Sequence, residues 1–307
     1  MKAEEILEDL FFIERGYLNG NHFVYCSDSP VLIDTAYLGD LAETERLITR
    51  LGADLSRVSL IVSTHTHCDH IGGNRFIQEK SGCGVALHRI GRHFIETRDD
   101  WSTWWRYYHQ EAAFFRCTRS LEHGDTLAVG PHRFEVLHTP GHSSDGIALY
   151  HPEEKILISS DTLWESDMAV LTERVEGSAA VFHMQESLEK LASLEVERVY
   201  PGHGKPFRDV DAALSQSRKR LRGYLADRRL IGRDQLKKIM VYTLLMKKAV
   251  KEEVFFPLLM DRIWFRETVD LYFEGAYAAL YGVILEALLK RGAVKRRNGD
   301  LVTTVKP

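Results

Sequence analysis

The sequence predicts an α+β layered fold over residues 1–209, followed by a mainly helical domain over residues 210–307. Two patterns lead to this. Between residues 10 and 210, short β-rich runs bounded by turn residues alternate with stretches of helical periodicity, the pattern of strands and helices packed in layers. After about Arg208 the strand pattern gives way to apolar residues at three- and four-residue spacing, which marks amphipathic helices.

The runs HFVYCS, PVLIDTA, SLIVSTH, GVALH, HRFEVLHTPG, GIALYH, KILISSDTL and RVYPGHG read in order as strands leading into turns. Helical periodicity covers residues 39–51 (GDLAETERLITRL) and 183–194, where Leu188, Leu191 and Leu194 share a face. Further helices are predicted over residues 210–229, 233–250 and 268–290. The last carries Leu271, Tyr272, Gly275, Ala278, Ala279, Gly282, Leu285 and Leu289 and stops at Gly292, a residue suited to end a helix. A hairpin fits AVKRRNGDLVTTV, because Asn298-Gly299 between β-prone runs is a tight-turn signal. Helices followed by a small hairpin suggest a winged-helix module.

With 307 residues the chain is long enough for one large domain and a smaller one. Its net charge of -4 provides no global positive field for nucleic acid or an anionic membrane. The opening MKAEEILEDLFFIERG lacks the basic and long apolar regions of a secretory signal. No apolar run approaches the roughly 20 residues of a membrane span. Cys26, Cys68, Cys83 and Cys117 form no CxxC pair, so a reducing cytoplasm is expected rather than a disulfide framework.

The chemistry concentrates in SLIVSTHTHCDHIGGN, residues 59–74. Leu60, Ile61 and Val62 read as a buried strand whose C-terminal end opens into the histidine run. His65 and His67, two apart, project to the same side of an extended segment and can chelate one ion. Asp69 and His70 lie where the turning chain presents them to a second. Imidazole and carboxylate ligands suit zinc and also tolerate iron or manganese. Cys68 is either a further ligand or, as alternation favours, a small residue pointing away. Gly72-Gly73 allows close backbone approach before a helix. His142 in HTPGHSSD, Asp161 in LISSDTL and His203 in VYPGHG repeat the strand-end context, and strand ends on one edge of a sheet converge. A carboxylate between two metals is a natural bridge, and Asp161 is the candidate.

The order THTHCDH, TPGHSSD, SSDTL and PGHG resembles the metallo-β-lactamase superfamily, above all its glyoxalase II-like hydrolases, over roughly residues 10–207. The resemblance implies an αββα sandwich. It implies that His65, His67 and His142 hold one divalent ion and that Asp69, His70 and His203 hold a second, with Asp161 bridging. It further implies a bridging hydroxide that cleaves a small thioester, ester or lactone, with Asp69 orienting it or handling a proton. An endoribonuclease or phosphodiesterase is the alternative, because winged-helix modules accompany this fold there. Against it stand the acidic charge and the lack of a nuclease-type insertion. The tail lacks the basic glutathione-binding stretch of true glyoxalase II, and antibiotic hydrolysis would call for a signal peptide. A binding protein that retains the fold without using its reaction is a third class, which the complete ligand set disfavours.

WSTWWRYYHQEAAFFR, residues 101–116, places Trp101, Trp104, Trp105, Tyr108, Ala112 and Phe115 at helical spacing. This aromatic face is either a wall or lid over the metals, fit for an acyl or aromatic group, or a packing face against the C-terminal helices or a homodimer partner. His88, His93, His109, His123, His132, His138, His151 and His183 show no ligand-like grouping; of these, His138 is placed to support His142 from behind. The clusters Arg218-Lys219-Arg220, Arg228-Arg229 and Lys295-Arg296-Arg297 read as solvated faces, with nucleic-acid contact the sharper alternative.

Overall fold

Runs of apolar residues build two facing sheets. The computed structural model describes residues 3–307. Its first sheet has the order β1 (Ala3–Leu7), β2 (Leu10–Ile13), β3 (His22–Tyr25), β4 (Val31–Ile33), β5 (Leu60–Val62), β6 (Gly84–His88) and β7 (Arg119–Leu121). β1 to β4 pair antiparallel and β4 to β7 parallel. The second sheet comprises β8 (Thr126–Val129), β9 (His132–His138), β10 (Ile147–His151), β11 (Ile156–Ser160) and β12 (Arg198–Pro201), in the order β12-β11-β10-β9-β8.

The helices in chain order are α1 (Leu41–Arg50), α2 (Cys68–Ile71), α3 (Asn74–Ser81), α4 (Arg89–Thr97), α5 (Trp105–Tyr108), α6 (Glu173–Glu176), α7 (Ala180–Ala192), α8 (Val210–Ala226), α9 (Arg229–Lys247), α10 (Glu252–Met260), α11 (Ile263–Phe273) and α12 (Tyr277–Lys290). Phe12, Phe23 and Val62 of the first sheet meet Phe134, Val136 and Leu149 of the second in one buried layer. On the outside of the first sheet, Leu32 and Ile61 pack against Leu47, Ile48 and Ile77 of α1 and α3. On the outside of the second, Ala148 and Leu157 pack against Leu188 and Leu191 of α7 and Leu214 and Leu221 of α8. The layers therefore run helix, sheet, sheet, helix, the αββα sandwich that the motif order implied.

The change of composition near residue 210 coincides with the start of α8, where the Asp209 side chain accepts from Ala212 N at 3.0 Å as a helix cap. β13 (Val250–Lys251), β15 (Asp300–Thr303) and β14 (Val294–Arg297) form a small third sheet in that order. The β14–β15 hairpin turns at Asn298 and Gly299 with φ of 53° and 81°, both positive as a tight two-residue turn requires. The helix expected over residues 268–290 is not continuous. α11 stops at Phe273, Glu274 and Gly275 take φ of 54° and 77°, and α12 leaves at 102° to α11. The apolar spacing runs through the break because Val269, Leu280, Ile284 and Leu288 from the two helices enter the same core. No single helix among the described residues is long and apolar enough to cross a membrane.

Strand direction fixes one functional edge. β9 and β11 both run antiparallel to β10, and β12 runs parallel to β11, so these three strands end on the same side. β4 and β5 are parallel to each other, and Ile147 N donates to Thr64 O at 2.9 Å, joining the two sheets at that edge.

Candidate metal centre

The loop after β5 carries His65 and His67 into α2, which begins at Cys68 and contains Asp69 and His70. Gly72 N donates to Ala36 O at 2.7 Å. A Cβ at Gly72 would meet Leu38 N at 2.1 Å, so only glycine lets this turn press against the loop after β4. His142 follows β9, Asp161 follows β11 and His203 follows β12. Ser160 takes φ of 47°, a left-handed kink at the strand end that redirects the chain before Asp161.

All seven of these side chains are buried, and they converge. Nitrogens or oxygens within 4.8 Å of one another group His65 with His67 and His142, Asp69 with His70 and His203, and Asp161 with His65 and His70. Asp161 thus joins one member of each of the other two groups. His142 Nε2 lies 3.3 Å from Asp161 Oδ2 and 2.9 Å from His67 Nδ1. His203 Nε2 lies 3.2 Å from Asp69 Oδ2, and His70 Nε2 3.6 Å from Asp161 Oδ1. His65 Nε2, His67 Nε2 and His70 Nε2 are buried without a hydrogen-bond partner in the protein. Orphaned imidazole nitrogens beside carboxylates are costly in a dry interior, and divalent cations are the groups that satisfy such a donor set. The residues present therefore fit divalent metal ions.

The opposite ring nitrogens are held from behind. His142 Nδ1 faces Val170 O at 2.7 Å, His203 Nδ1 faces Gly16 O at 3.0 Å and His70 Nδ1 faces Asp34 Oδ2 at 2.8 Å. Such contacts fix ring orientation at metal sites. Burial and neighbouring imidazoles hold His65 and His67 well below the ordinary histidine value, so both rings are neutral, as ligands must be. For His70, burial works against a charge, but Asp161, Asp34 and Asp69 outweigh it and raise the value. His203 is also raised, Asp161 and Asp69 overcoming burial. Asp161 is lowered despite burial, through His203 and His70. The carboxylates thus favour the protonated forms of His70 and His203, and a cation held there would compete with those protons.

Cys68 points away. Its Sγ donates to Gln110 Oε1 at 2.9 Å, and it joins the apolar cluster beneath the site rather than any ligand group. A Cys68→Ser variant is expected to retain the wild-type metal-to-protein ratio in elemental analysis; a halved ratio would make the thiol a ligand. His138 stacks on His88 at 4.0 Å between ring centroids and bonds to Ser144 O, so its contact is with the loop after His142 rather than with that ring.

The aromatic segment is not the long helix its spacing predicts. Only Trp105–Tyr108 is helical, because Trp104 and His109 on either side take φ of 71° and 51°. Its two expected roles are divided between residues. Trp104 lies over His67, 3.8 Å between ring centroids, and 4.9 Å from His142. Trp105, Tyr107 and Tyr108 pack with Trp264 and Phe265 of α11. Trp104 is anchored by Nε1–H donating to Glu176 Oε1 at 2.8 Å, while Ser144 N donates to Oε2. Burial pushes the Glu176 carboxyl up to about 8 against those two hydrogen bonds. The folded chain thus binds this proton more tightly than the unfolded one, so the group's contribution to stability is full below pH 4.5 and is lost as pH rises through 8. Thermal unfolding of Glu176→Gln is expected to depend less on pH than wild type across that window; parallel curves would remove Glu176 from the account.

The metal-facing side chains of His67, Asp69, His142 and Asp161 border a pocket of about 400 Å³. Its remaining wall includes Trp104, Trp164 and, from α9, Lys238, Ile239 and Tyr242. The Tyr242 hydroxyl donates to Asp69 Oδ2 at 3.0 Å. Sequence reasoning missed Asp34 and the α9 residues. Asp34 had a readable signal, since VLIDT repeats the apolar-run-then-Asp-Thr pattern of LISSDT. Tyr242 has none: it sits 173 positions from Asp69, in an ordinary amphipathic helix.

The sequence model of the family described as "Metallo-beta-lactamase superfamily" matches residues 16–203. The chain is 30% identical over 222 residues to the acyl-coenzyme A thioesterase MBLAC2 of Gallus gallus, spanning 64% of this chain and 78% of that protein. It is 31% identical over 204 residues to the hydroxyacylglutathione hydrolase of Brucella canis, spanning 66% and 67%. A solved metallo-beta-lactamase family protein from Thermus thermophilus superposes with a TM-score of 0.60 at 22% identity, over 97% of this chain and 100% of that one. At that identity the likeness is one of fold, and it extends through the C-terminal helices.

Proposed function

Because the chain belongs to the metallo-beta-lactamase superfamily and is a hydrolase, we propose that it uses two divalent ions, zinc by donor type, to hydrolyse a small acyl thioester. His65, His67 and His142 would hold one ion and Asp69, His70 and His203 the other, with Asp161 between them. The observation that carries this reading is the convergence of these three buried donor groups at a pocket of about 400 Å³. Divalent cations held there would lower the pKa of water and polarise a carbonyl.

The chain's own residues do the rest. Asp69 Oδ2, between His203 Nε2 and the Tyr242 hydroxyl, is the position at which a proton is taken up and passed on. Trp104, Val170 and Ile239 give the pocket an apolar wall that excludes bulk water and receives an acyl group. Two relatives named for acyl derivatives of thiol carriers support thioesters over other esters and lactones. The ion pairs Arg218–Glu189, Arg220–Asp167, Arg228–Glu173 and Arg296–Glu252 engage much of the basic face that a nucleic acid would need. The four cysteines are unpaired, which supports a reducing, cytoplasmic compartment.

Turnover of a panel of acyl thioesters, esters and lactones, alongside single-stranded RNA, tests the reading. Thioester hydrolysis that disappears with a chelator and returns with zinc is expected. RNA cleavage without thioester turnover would overturn it.

A further inference from the structure

Behind the metal-facing pocket lies a second, larger space of about 1680 Å³, open to solvent. The two share Gln110. They also share α9: Ile239 and Tyr242 line the inner pocket, while Thr243, Met246 and Lys247, one turn further on, line the outer cleft. The outer cleft thus adjoins the inner pocket, with Gln110 and α9 between them. Its volume is about four times greater by the same measure, so a substrate filling both carries a small acyl end and a much larger remainder.

The outer cleft has a defined chemistry. Trp105 and Phe114 pack together at 4.5 Å between ring centroids, and the Arg98 guanidinium sits 5.3 Å from the Phe114 ring. Across the cleft Arg262 Nη1 donates to His109 Nδ1 at 3.0 Å. Neither Arg262 nor Lys247 has a carboxylate within ion-pair distance among the described residues. The remaining charges of the lining are Arg106, paired with Asp100 at 3.2 Å, and Glu111. The lining thus carries three cations against two carboxylates, with Arg98 beside it on the Phe114 ring. His109 feels this field: burial, then Arg262 and Arg266, hold its imidazole below the ordinary value and therefore neutral, leaving Nδ1 free to accept from Arg262. Arginine and lysine recognise phosphate, and aromatic rings beside a guanidinium accept a stacked base.

We propose that this outer cleft binds the carrier of the thioester, a thiol joined to a phosphorylated nucleotide, with Arg262 and Lys247 on its phosphates and the Trp105–Phe114–Arg98 group against its base. The inference rests on the acyl-thioester reading above and specifies the leaving group. A peptide thiol such as glutathione has carboxylates but no ring to fill the aromatic side.

The test uses desulfo-coenzyme A, which lacks the thiol and so cannot bind through a metal, titrated calorimetrically into the purified protein. Saturable binding is expected, weakened about tenfold or more in a Lys247→Ala/Arg262→Ala variant, the loss anticipated for charge-assisted contacts. In parallel, KM for an acyl-coenzyme A should rise by a similar factor in the variant, while kcat/KM for the same acyl group on N-acetylcysteamine stays at the wild-type value. Absence of desulfo-coenzyme A binding, or binding unchanged by the double substitution, overturns the proposal. Tighter binding of glutathione than of desulfo-coenzyme A does so as well. Hydrolysis of the short thioester without desulfo-coenzyme A binding defeats the cleft but not the proposed reaction. Desulfo-coenzyme A binding that is lost in the variant, with no thioester hydrolysed, upholds the cleft and defeats the reaction.

Discussion

An Asp161→Ala variant is expected to hydrolyse its thioester at least about 10³-fold more slowly than wild type, a small part of the rate enhancement that enzymes achieve, and to purify with less than the full metal complement. The reason lies in where the carboxylate sits. Its Oδ2 is 3.3 Å from His142 Nε2 and 3.7 Å from His203 Nε2, while its Oδ1 is 3.6 Å from His70 Nε2. Among the described residues it is therefore the one acidic side chain that touches imidazoles of both His-rich groups. Without it, two cations would face each other across neutral rings with Asp69 the one carboxylate left among the proposed ligands and Asp34 acting only from behind His70. The position is also packed: a Cβ on Gly202 would lie 2.0 Å from Asp161 Oδ1, so the chain leaves this carboxylate no alternative place. Elemental analysis and initial rates on the same preparation check the expectation. Wild-type activity in a preparation that has lost its metals would refute the binuclear reading.

Asp34→Ala carries the second large effect, through stability as well as metal affinity. This buried carboxylate accepts from Thr64 N at 2.8 Å, from the Thr64 hydroxyl at 2.7 Å and from His70 Nδ1 at 2.8 Å. Removing it strands two buried donors, Thr64 N and His70 Nδ1, the second on a ring that Asp34 helps to keep charged, while the Thr64 hydroxyl retains Ser160 Oγ at 2.7 Å. Loss of one partner from such a buried pair costs about 3–5 kcal/mol, and loss of a carboxylate behind a ligand histidine weakens metal binding by about 10–100-fold. Alanine is further penalised by the left-handed backbone at this position, φ 58°, which asparagine tolerates. Asp34→Asn is therefore expected to recover part of the stability in urea unfolding while metal affinity, by chelator competition, stays low. Full affinity in both variants would mean that His70 needs no support from Asp34.

His65, His67, Asp69 and His70 were legible because their chemistry is local: four residues of metal-binding type within six positions at the end of an apolar strand. His142, Asp161 and His203 were legible because each repeats that strand-end setting. Parallel strand direction then carries all of them to one edge, a consequence of topology that motif order already encodes. The aromatic segment shows the opposite case. Its residues fall at helical spacing, yet positive φ at Trp104 and His109 breaks the helix, because one indole is drawn to His67 and Glu176 while the next packs against Phe114. Likewise the spacing across residues 268–290 does not disclose the turn at Glu274-Gly275, since two helices entering one core keep a common apolar pattern.

The sequence by itself determined the sandwich, the hydrolytic class and the residues proposed here as donors, because strand period and ligand spacing are short-range properties of the chain. Only the tertiary structure decided what surrounds those donors. Asp34 behind His70, Tyr242 against Asp69 and the cleft between α9 and the 101–116 segment all depend on contacts between residues far apart in the chain. Such contacts follow from how helices dock on the sandwich, and no local pattern of residues records that docking.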